Sequence, residues 1–219
     1  MRKIIFIGQS GDKAVYYNTR TKEALVADKS ALLNTEGARR SNRGIAPLIA
    51  IFSLLGLLGG FLAIPIFSSF RYNSAMVPIF ILCLSFIIFG FIWMMEVALY
   101  KGVKQVRGAT KQQFEKAVYS NLFWDNFSDK KATFGKMLAF MIVMLLVFMT
   151  TIVIFAAAIP GTIDSFNKQE AFDIQIVFSP LGGLFPAVSY LLLFQNNPIR
   201  WLLAVRKYEQ GKMIFKEEE

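Results

Sequence analysis

Histidine is absent from the 219-residue chain, and cysteine occurs once, at Cys83. The first absence removes the commonest general base and metal ligand, together with every Ser-His and Cys-His nucleophile pairing. The second excludes an intrachain disulfide and a metal site built on cysteine. Acidic residues are also few, 15 against 24 Lys and Arg. No GxSxG, HExxH, Walker loop or CxxC occurs, and no two carboxylates share an apolar block. The motifs of hydrolysis, phosphoryl transfer and intramembrane proteolysis are therefore missing. The chain reads as non-enzymatic, and no residue pattern asks for a cofactor or a metal.

What is present is apolar sequence. Hydrophobic residues make up 55% of the chain, and the mean hydropathy is +0.47. They gather in four blocks, roughly Ile45 to Phe67, Ala75 to Leu99, Met137 to Ile159 and Ile174 to Phe194. Each has about 20 residues or more, enough to cross a hydrocarbon core of ~30 Å as a helix, and none shows a polar face. The N-terminal run Ile4-Ile5-Phe6-Ile7 is too short for a signal peptide, which needs about 7–15 apolar residues. The expected fold class is an all-α membrane protein: four transmembrane helices, a small N-terminal β-meander and cytoplasmic interfacial helices.

Of the 24 basic residues, all but Arg71 and Lys168 lie in the N-terminal segment, the middle loop or the C-terminal tail. By the positive-inside rule these three segments face the cytoplasm of a multi-pass cell-membrane protein. Residues 1–44 then form a cytoplasmic meander and basic linker. Residues 45–196 form the membrane domain, with a cytoplasmic loop at 100–136, and residues 197–219 form a cytoplasmic amphipathic tail. The net charge of +9 suits anionic lipid headgroups of the bilayer rather than nucleic acid, because the basic residues flank the apolar blocks.

Three short strands are expected in KIIFIG, KAVYY and KEALVAD, with Gly11 in the first turn. A sheet of this size is marginal alone in water and is expected to lean on the membrane surface or on loops. In the middle loop Thr110 and Gln113 fit a capping box, and Phe114, Ala117, Val118 and Leu122 share one helical face. Phe123, Trp124 and Phe127 follow. The tail segment PIRWLLAVRKY starts at Pro198 and carries Trp201 as an interface anchor. Both segments read as amphipathic helices lying on the inner leaflet or docking a cytoplasmic partner.

Three features are candidate binding positions. Glu96 is the one acidic residue inside an apolar block. It reaches the interface, or pairs with Lys101 or Lys104, or marks an ion path. Gly56 and Gly60 form a GxxxG pair for helix packing, within the chain or against a partner helix. In the fourth block Pro180, Gly182, Gly183 and Pro186 predict a kinked or broken helix, with Ser179, Gly183 and Ala187 as a small-residue stripe.

The strand KIIFI, followed by AVYYN and a short return before the first apolar block, resembles the tandem five-transmembrane proteins of Gram-positive bacteria. This chain has four apolar blocks where that family has five spans, and lacks an aromatic-rich segment before the first. Several members are linked to immunity against membrane-attacking toxins of the type VII secretion system. The resemblance implies a protective protein whose partner is a membrane-inserting toxin. The alternative is a transporter or an accessory subunit of one, with Glu96 and the fourth block as its site.

Overall fold

The computed structural model describes residues 2–33, 71–121, 131–171, 173, 176 and 178–217. The block Ile45 to Phe67, with Gly56 and Gly60, lies outside the described residues, as do Arg39, Arg40, Arg43, Leu122, Phe123, Trp124 and Phe127. The chain is mostly helical, with one small antiparallel sheet, and divides in space into two units. The first gathers Met1–Asn34, Ile92–Phe148 and Ala187–Glu219; the second gathers Thr35–Phe91 and Met149–Pro186.

The first unit is built on the sheet. Strands β1 (Ile4–Ser10), β2 (Lys13–Asn18) and β3 (Ala24–Asp28) pair in sequence order, as expected. Gly11 takes φ 62° in the first turn, a conformation that costs glycine nothing. A fourth strand, β4 (Arg107–Gly108), joins β3 from the middle loop and was not foreseen. The register between β1 and β2 shifts between Phe6 and Gly8, which makes Ile7 a bulge.

Both faces of this sheet are buried. Ile5, Ile7, Val15, Tyr17 and Ala24 face one cluster, and Phe6, Ala14, Tyr16 and Ala27 face the other. The first cluster is closed by helix α2 (Lys111–Tyr119) through Phe114, Ala117 and Val118, and by the tail helix α6 (Pro198–Glu209) through Trp201, Leu202 and Val205. The second is closed by Leu99 and Tyr100, at the end of helix α1 (Met76–Tyr100). The sheet's two faces therefore lean on the chain's own helices. The runs IIFI and AVYY lack polar alternation because each residue has a protein partner on its own face.

Two expectations are corrected here. The capping box of Thr110 and Gln113 forms, and Pro198 opens α6 as expected. Yet α2 and α6 are not interfacial helices, because their apolar faces pack on the sheet. Amphipathic spacing demands one apolar surface, and the sheet supplies it in place of lipid. Trp201 is not an interface anchor: it is 4% exposed, and its Nε1 donates to Ile7 O at 2.8 Å.

Helix α1 begins where Asn73 Oδ1 accepts from Ala75 N at 2.9 Å, and Pro78 sits in its first turn, where proline is tolerated. Helix α3 (Phe134–Val153) continues through a π-helical turn, Ile154–Ala158, into α4 (Ile159–Asn167). The wider turn precedes Pro160, whose ring conflicts with the carbonyl one turn back. Helix thus runs past Ile159, where the apolar block was expected to end. Two stretches, Met76–Gln105 and Phe134–Asn167, are long and apolar enough to cross a membrane, and only 11% and 6% of their most apolar windows are buried. The core helix of a soluble fold would be mostly buried. The fourth block passes from a 3-10 turn, Ser179–Gly183, to α5 (Leu184–Tyr190) and then a π-helical turn, Leu191–Gln195.

Candidate functional site

Glu96 lies one turn before the end of α1, in the first unit. Its partners are not Lys101 or Lys104. Arg2 Nη2 donates to Oε1, and Gln195 Nε2 donates to Oε2 at 3.0 Å. Lys101 and Lys104 follow the helix into its 3-10 turn, where both side chains are exposed. The N-terminus instead folds back onto Glu96, because β1 is fixed by its pairing with β2. The Arg2 and Glu96 side chains are 34% and 35% exposed. Such a pair, with a neutral donor completing the carboxylate, contributes about 1–2 kcal/mol.

The rest of the cluster holds Arg2 in place. Its guanidinium carbon stands 4.1 Å from the centre of the Tyr100 ring. Arg200 Nη2 donates to Arg2 O at 2.6 Å, and Arg2 N donates to Phe194 O at 3.4 Å. Tyr100 Oη donates to Gln195 O at 3.1 Å. Three separate segments, the N-terminus, α1 and the π-helical turn, meet at one half-buried carboxylate. Gln195 Oε1 and Asn196 Oδ1 are buried there with no partner among the described residues.

In the second unit, a cleft of about 550 Å³ lies between the π-helical turn of the α3–α4 helix and the 3-10 turn Ser179–Gly183. Its polar lining is Thr150, Thr162 and Ser179; its apolar lining includes Phe80, Ile154 and Phe185. Thr162 Oγ1 donates to Ala158 O at 3.0 Å, and Ser179 Oγ donates to Ile176 O at 2.6 Å. Both hydroxyls thus satisfy carbonyls where the helical geometry changes.

The stripe Ser179, Gly183 and Ala187 does not act as one surface. Ser179 lines the cleft. Gly183 is buried against α1: a Cβ there would lie 3.0 Å from Leu84 Cδ1 and 3.1 Å from Ile88 Cγ1. Ala187 is fully buried. Gly183 and Ala187 are packed inside the chain. The physical reason is that small residues admit close approach by any neighbouring helix, and the chain's own helix is nearest.

No family model, curated protein or solved structure matches the chain. The functional reading therefore rests on residues and geometry. Among the described residues, no group of three or more Cys, Asp or Glu side chains is placed to hold a metal ion.

Arg2, Gln195 and Gly8 were not legible as important. Arg2 lies 94 residues from Glu96, beyond any local spacing rule. Gly8 sits so close to α2 that a Cβ would fall 1.9 Å from Ala117 O. The one sequence signal for it is a glycine inside a strand, which often marks a bulge or a close backbone approach.

Proposed function

We propose that this chain is a multi-pass cell-membrane protein with both termini in the cytoplasm, acting without catalysis to protect the membrane against an inserting protein toxin. One observation carries the topology. The N-terminal strands, the middle loop and the C-terminal tail, which hold 19 of the 24 basic residues, gather in one unit. The two basic-poor loops pair with each other in the other unit, where Arg71 bridges Ala171 and Tyr72 N donates to Glu170 O at 3.0 Å. Tyr72 Oη also donates to Asp173 O at 2.6 Å. This grouping is what four crossings would produce, with Ile45 to Phe67 and Ile174 to Phe194 as the first and fourth spans.

The outward side chains of α1 and α3 support the protective reading. Leu82, Phe86, Phe89 and Trp93 on α1, and Met141, Leu145 and Leu146 on α3, are exposed. A toxin that inserts in the same bilayer meets these faces helix to helix, where packing sets affinity. The transporter-subunit reading rests on the cleft with its three hydroxyls beside a broken helix.

Reporter fusions test the topology: Asn73 and Asn167 report outside, Gln113 and Gly211 report inside. An outside signal at Gln113 refutes four crossings. For protection, the chain is co-expressed with a membrane-depolarising protein toxin, and membrane potential is followed. Depolarisation in cells that carry the inserted chain refutes protection.

A further inference from the structure

Three contacts fix how the sheet stands against the end of α1. Arg2, just before β1, pairs with Glu96. Tyr16, in mid-strand opposite Phe6, donates through Oη to Leu99 O at 2.8 Å. Asp28, at the far end of β3, meets Gly102, where a Cβ would lie 2.8 Å from the Asp28 carbonyl oxygen. The contacts follow one order along the helix, Glu96, Leu99, Gly102, and the same order along the strands. The strands therefore run along α1. From Glu96 to Gly102 the chain rises on the order of 10 Å. The end of the sheet with Arg2, Lys3 and the β2–β3 turn lies level with Glu96, and the turn at Gly11 lies farther along the axis.

The end level with Glu96 is basic. Thr19 N and Oγ1 both donate to Lys3 O at 2.9 Å, so Lys3 lies against the turn that carries Arg20 and Lys22. All three residues are exposed, and none of their side chains makes a hydrogen bond or ion pair among the described residues. Glu23 is the carboxylate in this turn, which leaves a balance of two positive charges. The turn is held rigidly: Lys22 N donates to Asn18 O at 2.9 Å, and Arg20 N donates to Asn18 Oδ1 at 3.0 Å. Lys22 takes φ 64°, in the left-handed region that glycine or asparagine adopts at less cost. A lysine kept at a strained turn position points to a use for its charge.

A headgroup layer is about 5–8 Å deep on each side of the hydrocarbon. The apolar block of α1 ends at Leu99, three residues past Glu96. The basic turn thus falls within that layer, and the Gly11 turn falls beyond it. We infer that Lys3, Arg20 and Lys22 seat this end of the sheet among the headgroups of the inner leaflet, with anionic phospholipids as their partners. This rests on the reading that α1 crosses the membrane and leaves it on the cytoplasmic side. The two faces of the sheet pack on protein, and its basic end meets lipid. Seating here sets the angle of the first unit's strands to the bilayer.

The full chain is reconstituted into vesicles of phosphatidylcholine and phosphatidylglycerol in equal parts. A fluorophore is attached at Cys83, which is exposed on α1, or, with Cys83→Ser, at Thr21→Cys or Asp12→Cys in the two exposed turns. Quenching is measured with a small fraction of either lipid spin-labelled at the top of one acyl chain, or at mid-chain for Cys83. The Thr21 probe is expected to be quenched by both lipids and the Asp12 probe by neither. Each cation beside an anionic leaflet contributes on the order of fivefold, so the net two give phosphatidylglycerol a preference of roughly twentyfold at Thr21. Adding Lys3→Gln, Arg20→Gln and Lys22→Gln is expected to abolish that preference. Quenching by phosphatidylcholine should persist, because the contacts with α1 still hold the turn in place. A Thr21 probe quenched by neither lipid overturns the inference, as does equal quenching by both or a preference that survives the triple substitution. Quenching at Asp12 as strong as at Thr21 overturns the orientation of the sheet. The Cys83 probe separates this inference from the reading beneath it. An unquenched Cys83 refutes the crossing of α1, whereas quenching at Cys83 without quenching at Thr21 refutes only the seating of the turn.

Discussion

Gly8→Ala is the smallest substitution that probes whether α2 is seated on the sheet. The added Cβ would lie 1.9 Å from Ala117 O, 2.8 Å from Ala117 C and 2.7 Å from Ser120 Oγ. An unstrained carbon-to-oxygen contact is about 3.3 Å, so the helix backbone must retreat by roughly 1.4 Å at Ala117. Nothing flexible is there to give way, because the obstacle is a main-chain carbonyl. Retreat unseats Phe114, Ala117 and Val118 and stretches the 2.7 Å bond from Gln9 N to Ser120 Oγ. Overpacking of this kind costs about 1–3 kcal/mol, and the loosened hydrogen bond adds about 1. A loss of about 3 kcal/mol corresponds to a fall in Tm of roughly 6–12 °C for a chain of this size. Thermal unfolding of the full chain in detergent measures it, and tryptic cleavage at Lys111 and Lys116 reports local release of α2. Gly90→Ala is the control. It meets open space inside α1 and is expected to be neutral or to stabilise by up to about 1 kcal/mol. A Gly8→Ala protein within 0.5 kcal/mol of the original, with α2 still protected from trypsin, would refute the packing described.

Glu96→Gln is expected to cost about 1–2 kcal/mol, and a double-mutant cycle with Arg2→Gln should return a coupling of about that size; additive losses would deny the pair. Gly183→Ala is expected to destabilise by about 1–2 kcal/mol by pressing on Leu84 and Ile88, whereas Gly182→Ala, whose Cβ would sit 3.6 Å from Ile154 Cγ2, is expected to be tolerated; unfolding midpoints that rank the two in reverse refute the seam. Burial pushes the Tyr16 phenol up to about 12, with its neighbour Tyr100 adding to the shift. Its neutral form is thus favoured by the fold, and that stability is complete below about pH 10, then lost as pH rises toward 12, by about 2–3 kcal/mol in all. Tyr16→Phe loses the 2.8 Å bond to Leu99 O, so it is expected to be less stable at pH 8 but to close the gap at high pH; parallel stability curves would contradict this.

Which segments are long and apolar, and which are polar and basic, was readable from the sequence alone. It also set the three N-terminal strands, the turn at Gly11, the capping box at Thr110 and the start of α6 at Pro198. These depend on local preference and on the count of apolar residues, both readable along the chain. It could not say what a given apolar face would meet. The spacing of Phe114, Ala117 and Val118 suits a lipid surface and a sheet equally well, and only the folded chain brought β1 beneath it. Glu96 showed the same limit. A carboxylate near a helix end seeks a cation, and Lys101 and Lys104 stood nearest in sequence. The pairing of β1 with β2 instead placed Arg2 at its side, while the turn after α5 brought Gln195. Four-strand pairing with Arg107–Gly108, the close approach at Gly8 and the burial of Gly183 are likewise properties of segments far apart in the chain. Each depends on distances that exist only once the backbone has closed, so tertiary structure alone decided them.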